Sequence, residues 1–358
     1  MQLVTTSSED PARSAWAAEF FDRWYAALAA GEGHGRPDPA SWRPEELRAE
    51  LEHGTDDDVV HWYLALDADG SPAGAADVRL AVHDNRHVAR LQVAVPPAAR
   101  RRGVGTGLLA AAASTAAAAG RRVLRAETER PVEVDGDVWP GTLALRRWGF
   151  TPGLLEARRQ LALPVPARTL DDLEAAARPH AAGYRWWAVA GPVPDGDVDA
   201  VAALMGRMST DAPQGDLAVE PEVWDAARVR AGEELRRAQG RRTWTAFAAD
   251  AAGELVGYTM LVQSRHEPER LLQWDTLVVA GHRGHRLGML LKIAALRAAV
   301  ADAPQARRVS TWNATSNVAM IAVNEALGFR VDEVCVAHEA AVADVLAAVA
   351  AQAVATPG

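Results

Sequence analysis

Residues 93–109 read VAVPPAARRRGVGTGLL, and residues 276–292 read TLVVAGHRGHRLGMLLK. Both leave a short apolar run, turn through arginine and glycine, and enter an apolar, helix-forming run. Such an elbow offers unpaired backbone N–H groups at the positive end of a helix dipole, a ready site for an anion. Glycine lets a phosphate approach the main chain, and arginine adds charge-assisted hydrogen bonds. A lone GxG reads better as a solvated helix start. Two elbows of one shape, each behind a strand, favour a pair of phosphate cradles.

The elbows belong to a longer repeat. LALDADGSPAGAADV (64–78) and FAADAAGELVGYTML (247–261) align at an offset of 183 (247 − 64), which places Val95 on Val278, Arg100 on Arg283 and Gly105 on Gly288. Further on, RRWGF (146–150) and EALGF (325–329) align at 179 (325 − 146). Each copy predicts a hairpin through Asp-Gly or Ala-Gly, a third strand, the elbow and its helix, and another strand. A helix closed by Gly149 or Gly328 in the left-handed conformation and a final strand pair complete the copy. This order predicts an α/β (α+β) unit on a mixed, largely antiparallel sheet. The proline-bearing stretch 162–183 predicts a linker followed by a short helix.

A length of 358 residues fits two domains. A net charge of −9 argues against general nucleic-acid binding, which needs broad phosphate neutralisation. The single cysteine, Cys335, excludes an internal disulfide and a Cys-rich zinc site, and no metal is expected. No apolar run is long enough to span a bilayer, and the opening residues show no basic region followed by an apolar one. The expected location is the cytoplasm, away from membranes. Lys292 is the only lysine; one turn past Gly288, it could reach a phosphate, but a solvated helix residue is the favoured reading. The run AAAASTAAAAG reads as plain helix.

Phosphate ligands can be sorted by motif. The absence of G-K-[ST] excludes a P-loop. Glu127 lies about 20 residues past the glycines, as in a dinucleotide fold. However, PPAARRR separates strand from glycine, Arg286 replaces the first glycine in the second copy, and hairpins precede both elbows.

The elbow 93–109 is similar to the acetyl-CoA-binding segment of the GNAT acetyltransferase superfamily, [Q/R]-x-x-G-x-[G/A], met by Arg100, Gly103 and Gly105. The second copy meets it at Arg283 and Gly288 and departs at Arg286. The resemblance implies tandem GNAT folds over 1–165 and 184–358, joined by 166–183, each with a splayed fourth strand, and acetyl-CoA as cofactor. The main chain of Leu277, Val278 and Val279, and of Val93, Ala94 and Val95 in the first copy, would hold the acetyl and pantetheine groups. The pyrophosphate would lie on Arg283, Gly284, His285, Arg286, Leu287, Gly288 and Met289. Its counterpart site is Arg100, Arg101, Arg102, Gly103, Val104, Gly105 and Thr106. Asn313 and Asn317 are expected at the pantetheine arm, with helix capping as the plainer alternative.

In the family a tyrosine four residues before the Gly-Phe glycine protonates the leaving thiolate. That position holds Asn324 here and Leu145 in the first copy. A carboxylate on the fourth strand often serves as base, and Asp275 occupies that neighbourhood where the first copy has Gln92. Alternation along a strand puts Asp275 on the face opposite Trp274 and Thr276. Asp275 with Asn324 makes the second copy the catalytic candidate. The acidic segment 208–225 would line the acceptor cleft, its Asp211, Asp216 and Glu220 drawing a cationic amine. The expected reaction is acetyl transfer from acetyl-CoA to a primary amine of a small molecule, by direct attack in a ternary complex of a monomer or homodimer. The rivals are another acyl-CoA, catalysis by the first copy, and a non-catalytic CoA-binding sensor.

Overall fold

The structure, a computed structural model, describes residues 1–10, 13–54 and 57–354. The first repeat folds as β1 (Gln2–Ser7), α1 (Arg13–Glu32), α2 (Pro44–His53), β2 (Asp58–Leu66), β3 (Pro72–Ala81), β4 (Val88–Ala94), α3 (Val104–Ala118), β5 (Val123–Pro131), α4 (Pro140–Arg147) and β6 (Thr151–Ala162). Helix α5 (Ala167–Ala177) follows. The second repeat supplies β7 (Arg185–Ala190), α6 (Val198–Gly206), α7 (Met208–Asp211), α8 (Ala226–Ala238), β8 (Arg241–Ala249), β9 (Leu255–Ser264) and β10 (Arg270–Val278). It ends with α9 (Leu287–Asp302), β11 (Arg308–Ala314), α10 (Val318–Leu327), β12 (Arg330–Ala341) and α11 (Val342–Val354).

The chain divides into two compact units that do not follow the repeat boundaries. Unit 1 comprises Met1–Leu155, Gly215–Ala218 and Val334–Gly358; unit 2 comprises Glu156–Gln214 and Val219–Glu333. The sheet of unit 1 runs β1-β2-β3-β4-β5-β12, and that of unit 2 runs β7-β8-β9-β10-β11-β6. Parallel pairing joins β4 to β5 and β10 to β11, while the hairpin-connected strands pair antiparallel. The strand that closes each repeat is thus exchanged. Residues 156–162 of β6 pair with β11 in unit 2, and β12 lies beside β5 in unit 1. The expected final strand pair is instead one 12-residue strand in each repeat. RVDEVCVAHEAA (330–341) contains no glycine, proline or asparagine to turn the chain, and in TPGLLEARRQLA (151–162) Pro152 and Gly153 stand at the very start of the strand.

The exchange is built into the cores. Helix α3, the alanine-rich run, buries Leu108, Leu109, Ala112, Ala113 and Ala116 in one cluster with Ala340, Val342 and Val345 from β12 and α11. In unit 2, Leu161 of β6 joins Leu287, Leu290, Leu291, Val309 and Phe329. A second cluster in unit 2 sets Val201, Leu204 and Val229 of α6 and α8 against Phe247, Tyr258, Met260 and Leu277 of the sheet. Gly149 and Gly328 close α4 and α10 at φ 85° and 100°, the predicted left-handed caps.

A fragment ending at residue 165 lacks β12 and α11, and so loses Ala340, Val342 and Val345 from its core and leaves β5 as an open edge. It is expected to show no cooperative thermal transition by circular dichroism under conditions where the full chain does. A fragment as cooperative as the full chain would contradict the exchange.

Candidate active site

Pairing along β10 sets up the site. Strand β10 pairs with β11 from Arg270↔Arg308 to Gln273↔Thr311 and then parts from it, while β9 stays paired through Val278↔Gly257. Residues 274–278 therefore present one main-chain edge that no neighbouring strand covers. In unit 1, β4 leaves β5 after Leu91↔Ala126. These are the two splayed strands.

Only one of them is bulged. Between Gln273↔Leu261 and Thr276↔Thr259 the register slips, so that Trp274 and Asp275 together face one residue of β9. Strand β4 pairs with β3 without a slip from Ala89 to Ala94. A bulge adds a residue and re-aims side chains. It overturns the alternation expected for Asp275. Trp274 packs on the cluster containing Tyr258 and Leu277, and Asp275 takes a hydrogen bond from Tyr258 Oη at 2.9 Å, so both meet the same side. Thr276, as expected, lies on the other, its hydroxyl 2.7 Å from that of Thr259.

Asp275 is half-buried, and burial pushes its carboxyl above the usual range. The Tyr258 hydroxyl and the positive charge of Arg236 oppose that rise, and the charge of Glu222 adds to it. Glu222 is held by Trp224 Nε1, which donates at 3.1 Å, and its own N–H donates to Ser209 Oγ. Arg241 stacks over Trp274 at 5.2 Å from the ring centroid. A carboxylate with raised affinity for a proton, at the edge of a cleft beside a splayed strand, is placed to act as a general base. Tyr258, Glu222 and Arg236 escaped the sequence reading, because only the folded sheet brings β9, the 212–225 loop and α8 to the bulge.

The elbows show a relation hidden in the letters. Both carry left-handed backbone at two positions 183 apart: Arg101 (φ 63°) and Gly103 (83°) in unit 1, Gly284 (87°) and Arg286 (58°) in unit 2. The same turn is thus made with glycine and arginine in reversed order. No side chain among the described residues caps α3 or α9. The N–H groups of Val104, Gly105 and Thr106, and of Leu287 and Gly288, have no acceptor there, the first helical bonds being made by Gly107 and Met289. Matched arginines brace the turns: Arg100 Nε donates to Val95 O and Arg283 Nε to Val278 O, each at 2.9 Å. Their second contacts go to Gly31 O and Asp211 O. Arg102 is paired with Asp67, and His285 Nδ1 lies 2.9 Å from His180 O. Arg101 and Arg286 are exposed, with no partner among the described residues.

Around these features the units differ. In unit 1 a Cβ on Gly105 would stand 3.3 Å from the Trp148 ring, and one on Gly31 of α1 would stand 2.8 Å from Val95 N. Past the splay, Glu129 of β5 is paired with the buried Arg36. In unit 2 a Cβ on Gly288 would meet only the Met320 methyl, at 4.0 Å. The second elbow is the more open.

The expected polar residues of unit 2 divide. Asn317 caps α10, accepting from Met320 N. Asn324 is fully buried; its Nδ2 donates to Asn313 Oδ1 at 2.6 Å, and its Oδ1 has no partner among the described residues. Asp211 is tied to Arg283 and Arg207. Asp216 lies in the 215–218 segment of unit 1, where its N–H donates to Gly153 O. Neither joins Asp275. Lys292, expected in solvent, is 2% exposed. It occupies the place of the core residue Leu109, with its Nζ 5.6 Å from the Phe329 centroid. Burial pulls its value from 10.5 to about 7.

Comparisons with known proteins agree with this geometry. The family described as Acetyltransferase (GNAT) family matches residues 21–134 and 211–329, more than half of the chain. A tandem GNAT protein from the clavulanic acid biosynthesis pathway, solved without AcCoA, is 27% identical with a TM-score of 0.74 over 95% of this chain and 98% of that one. A GCN5-related N-acetyltransferase from Sphaerobacter thermophilus shares the fold at 15% identity and TM-score 0.60, over 95% and 96% of the two chains. No curated protein matches the chain.

The lysine yields a signed prediction. With its folded value near 7 and its free value at 10.5, burial destabilises the fold fully below about pH 7, and the penalty fades as pH rises toward 10.5. Lys292→Met is expected to stabilise the chain by up to about 4 kcal/mol at pH 7. Denaturant titrations should show the gain shrinking by pH 9; a gain independent of pH would place the amine in solvent.

Proposed function

The chain belongs to the GNAT acetyltransferase family, and on that footing we propose that unit 2 transfers an acetyl group from acetyl-CoA to the primary amine of a small molecule. The observation that carries the choice of unit is the bulge, which sets Asp275 at the splayed strand of unit 2 and has no counterpart on β4. The uncapped start of α9 and the free Arg286 fit a diphosphate, and the uncovered edge of 274–278 fits a pantetheine arm, which binds such an edge by main-chain hydrogen bonds. Acetyl-CoA supplies the activated thioester.

This chain's residues would then act in one ternary complex. Asp275 takes a proton from the acceptor ammonium. The freed amine forms the new C–N bond as the C–S bond breaks, the sulfur departs with the electron pair, and the second proton of the attacking nitrogen passes to water. Tyr258 and Arg236 hold Asp275 ready to ionise, against the burial that favours its neutral form. Asn324, enclosed behind its bond to Asn313, orients that amide; it offers no proton, and the thiolate takes one from water. The likeness to a tandem GNAT protein from the clavulanic acid biosynthesis pathway supports a small-molecule acceptor. Unit 1 is read as a CoA-binding or structural half, with Trp148 over its elbow and α1 against its splayed strand.

Thiol release from acetyl-CoA across a panel of amines tests the reading. Asp275→Asn is expected to lower kcat at least about a hundredfold with CoA affinity retained, and Gln92→Ala to leave it near wild type. The acid limb of the kcat/KM profile is expected above 3.8, the ordinary carboxylate value. Coenzyme A that binds without any turnover would establish a sensor instead. Arg286→Gly removes a left-handed arginine, so it is expected to stabilise the fold by about 1 kcal/mol while weakening CoA severalfold. Unchanged CoA affinity would take Arg286 out of the phosphate site.

A further inference from the structure

Arg236 stands in the last turn of α8, half-buried. Among the described residues its guanidinium forms no hydrogen bond and no ion pair. Burial lowers its value, and the charges of Glu233, Arg241 and Asp275 all act on it. The nearby carboxylates are already committed. Glu233 accepts from Val193 N at 2.7 Å and from Arg230 at 2.6 Å, and Asp275 accepts from Tyr258. Half-buried and unpaired, the guanidinium keeps its nitrogens within reach of solvent, and so of a ligand that can pair with them.

Its placement looks built. Helical side chains fold back toward the preceding turn, and Arg236 folds over Gly232, where a Cβ would stand 3.3 Å from Nη1. A glycine inside a helix costs about 1 kcal/mol against alanine, and here it makes room for the guanidinium. Beside it, Arg241 lies on Trp274. Arg236 and Arg241 thus set positive charge, and Asp275 and Glu222 negative charge, around the bulge.

Resting on the reading of unit 2 as an acetyltransferase, we propose that its acceptor is an amino acid or a closely similar amine bearing a carboxylate, with Arg236 as the residue that binds the carboxylate. The ammonium end meets Asp275 and Glu222, and the carboxylate meets the planar fork of Arg236 in bidentate fashion. A polyamine would set a second positive charge against Arg236 and Arg241. The cationic acceptor expected from Asp211 and Asp216 gives way in this proposal to a zwitterion, because Asp211 is paired with Arg283 and Arg207 and Asp216 lies in the 215–218 segment of unit 1.

The test uses the full chain and matched probes: lysine with cadaverine, ornithine with putrescine, alanine with ethylamine, and phosphoethanolamine. Acetyl transfer and, separately, calorimetric binding in the presence of CoA are measured for wild type, Arg236→Gln and Arg236→Lys. The carboxylate-bearing member of a pair is expected to bind roughly ten- to a hundredfold more tightly. Arg236→Gln should raise its KM by a similar factor, collapse the preference within the pair, and leave CoA affinity unchanged; Arg236→Lys should restore part of it. Binding that discriminates without turnover would sink the acetyltransferase reading and keep the carboxylate site. Equal affinity within every pair, no binding of any probe, preference for phosphoethanolamine, or an equal loss for both members on Arg236→Gln would overturn the proposal.

Discussion

The parting of β10 from β11 after Gln273↔Thr311 is the constraint on which the candidate site depends. A buried strand edge normally spends every N–H and C=O on a neighbour. Here five residues are released at once, beside a helix whose first turn is also uncapped. The bulge at Trp274–Asp275 falls within this released segment, so the strand is free to place two successive side chains on one side. The braced elbow keeps the segment from closing: Arg283 holds the Val278 carbonyl and anchors it to the end of α7. Without that brace the strand could rejoin its neighbour.

The two units show how one scaffold diverges while its backbone is kept. Turn geometry survives the swap of glycine and arginine between Arg101, Gly103, Gly284 and Arg286. Polar residues occupy core places in both units: Lys292 and Asn324 stand in the places of Leu109 and Leu145, and the buried Asp77 of unit 1 stands in the place of Met260. Asn324 Oδ1 and Asp77 Oδ2 are buried without a partner among the described residues, and burial disfavours the charged form of Lys292, which weakens the fold locally. Such departures from a well-packed core tend to gather near functional sites. The bulge and the open elbow both lie in unit 2.

Much of this was legible in the sequence. The repeat at offset 183 located both elbows, both hairpins and the splayed strands, because glycine, arginine and alternation leave local marks. Asp275 was found by position, but its direction was misread, since a bulge has no letter of its own and the strand periodicity of two hides it. Lys292 was placed in solvent because a lone lysine on an apolar helix cannot be told from a surface one without knowing which face packs. Arg236 carried no signal at all: its significance is the absence of a partner, which only three dimensions reveal. The exchange of β6 and β12 was invisible for a similar reason, as a strand's pattern does not name its neighbour.

That exchange also governs how the molecule is made. Unit 1 cannot be finished when its own repeat has left the ribosome, because the strand that covers β5 is translated only with the second repeat. At ordinary rates of about 5–20 residues per second, the interval between β6 and β12 lasts roughly ten to forty seconds. Throughout that interval the nascent chain holds an uncovered sheet edge, the feature most prone to mispairing with other chains. Slowed translation of the second repeat would therefore lower the yield of native protein by damaging the half that was synthesised first.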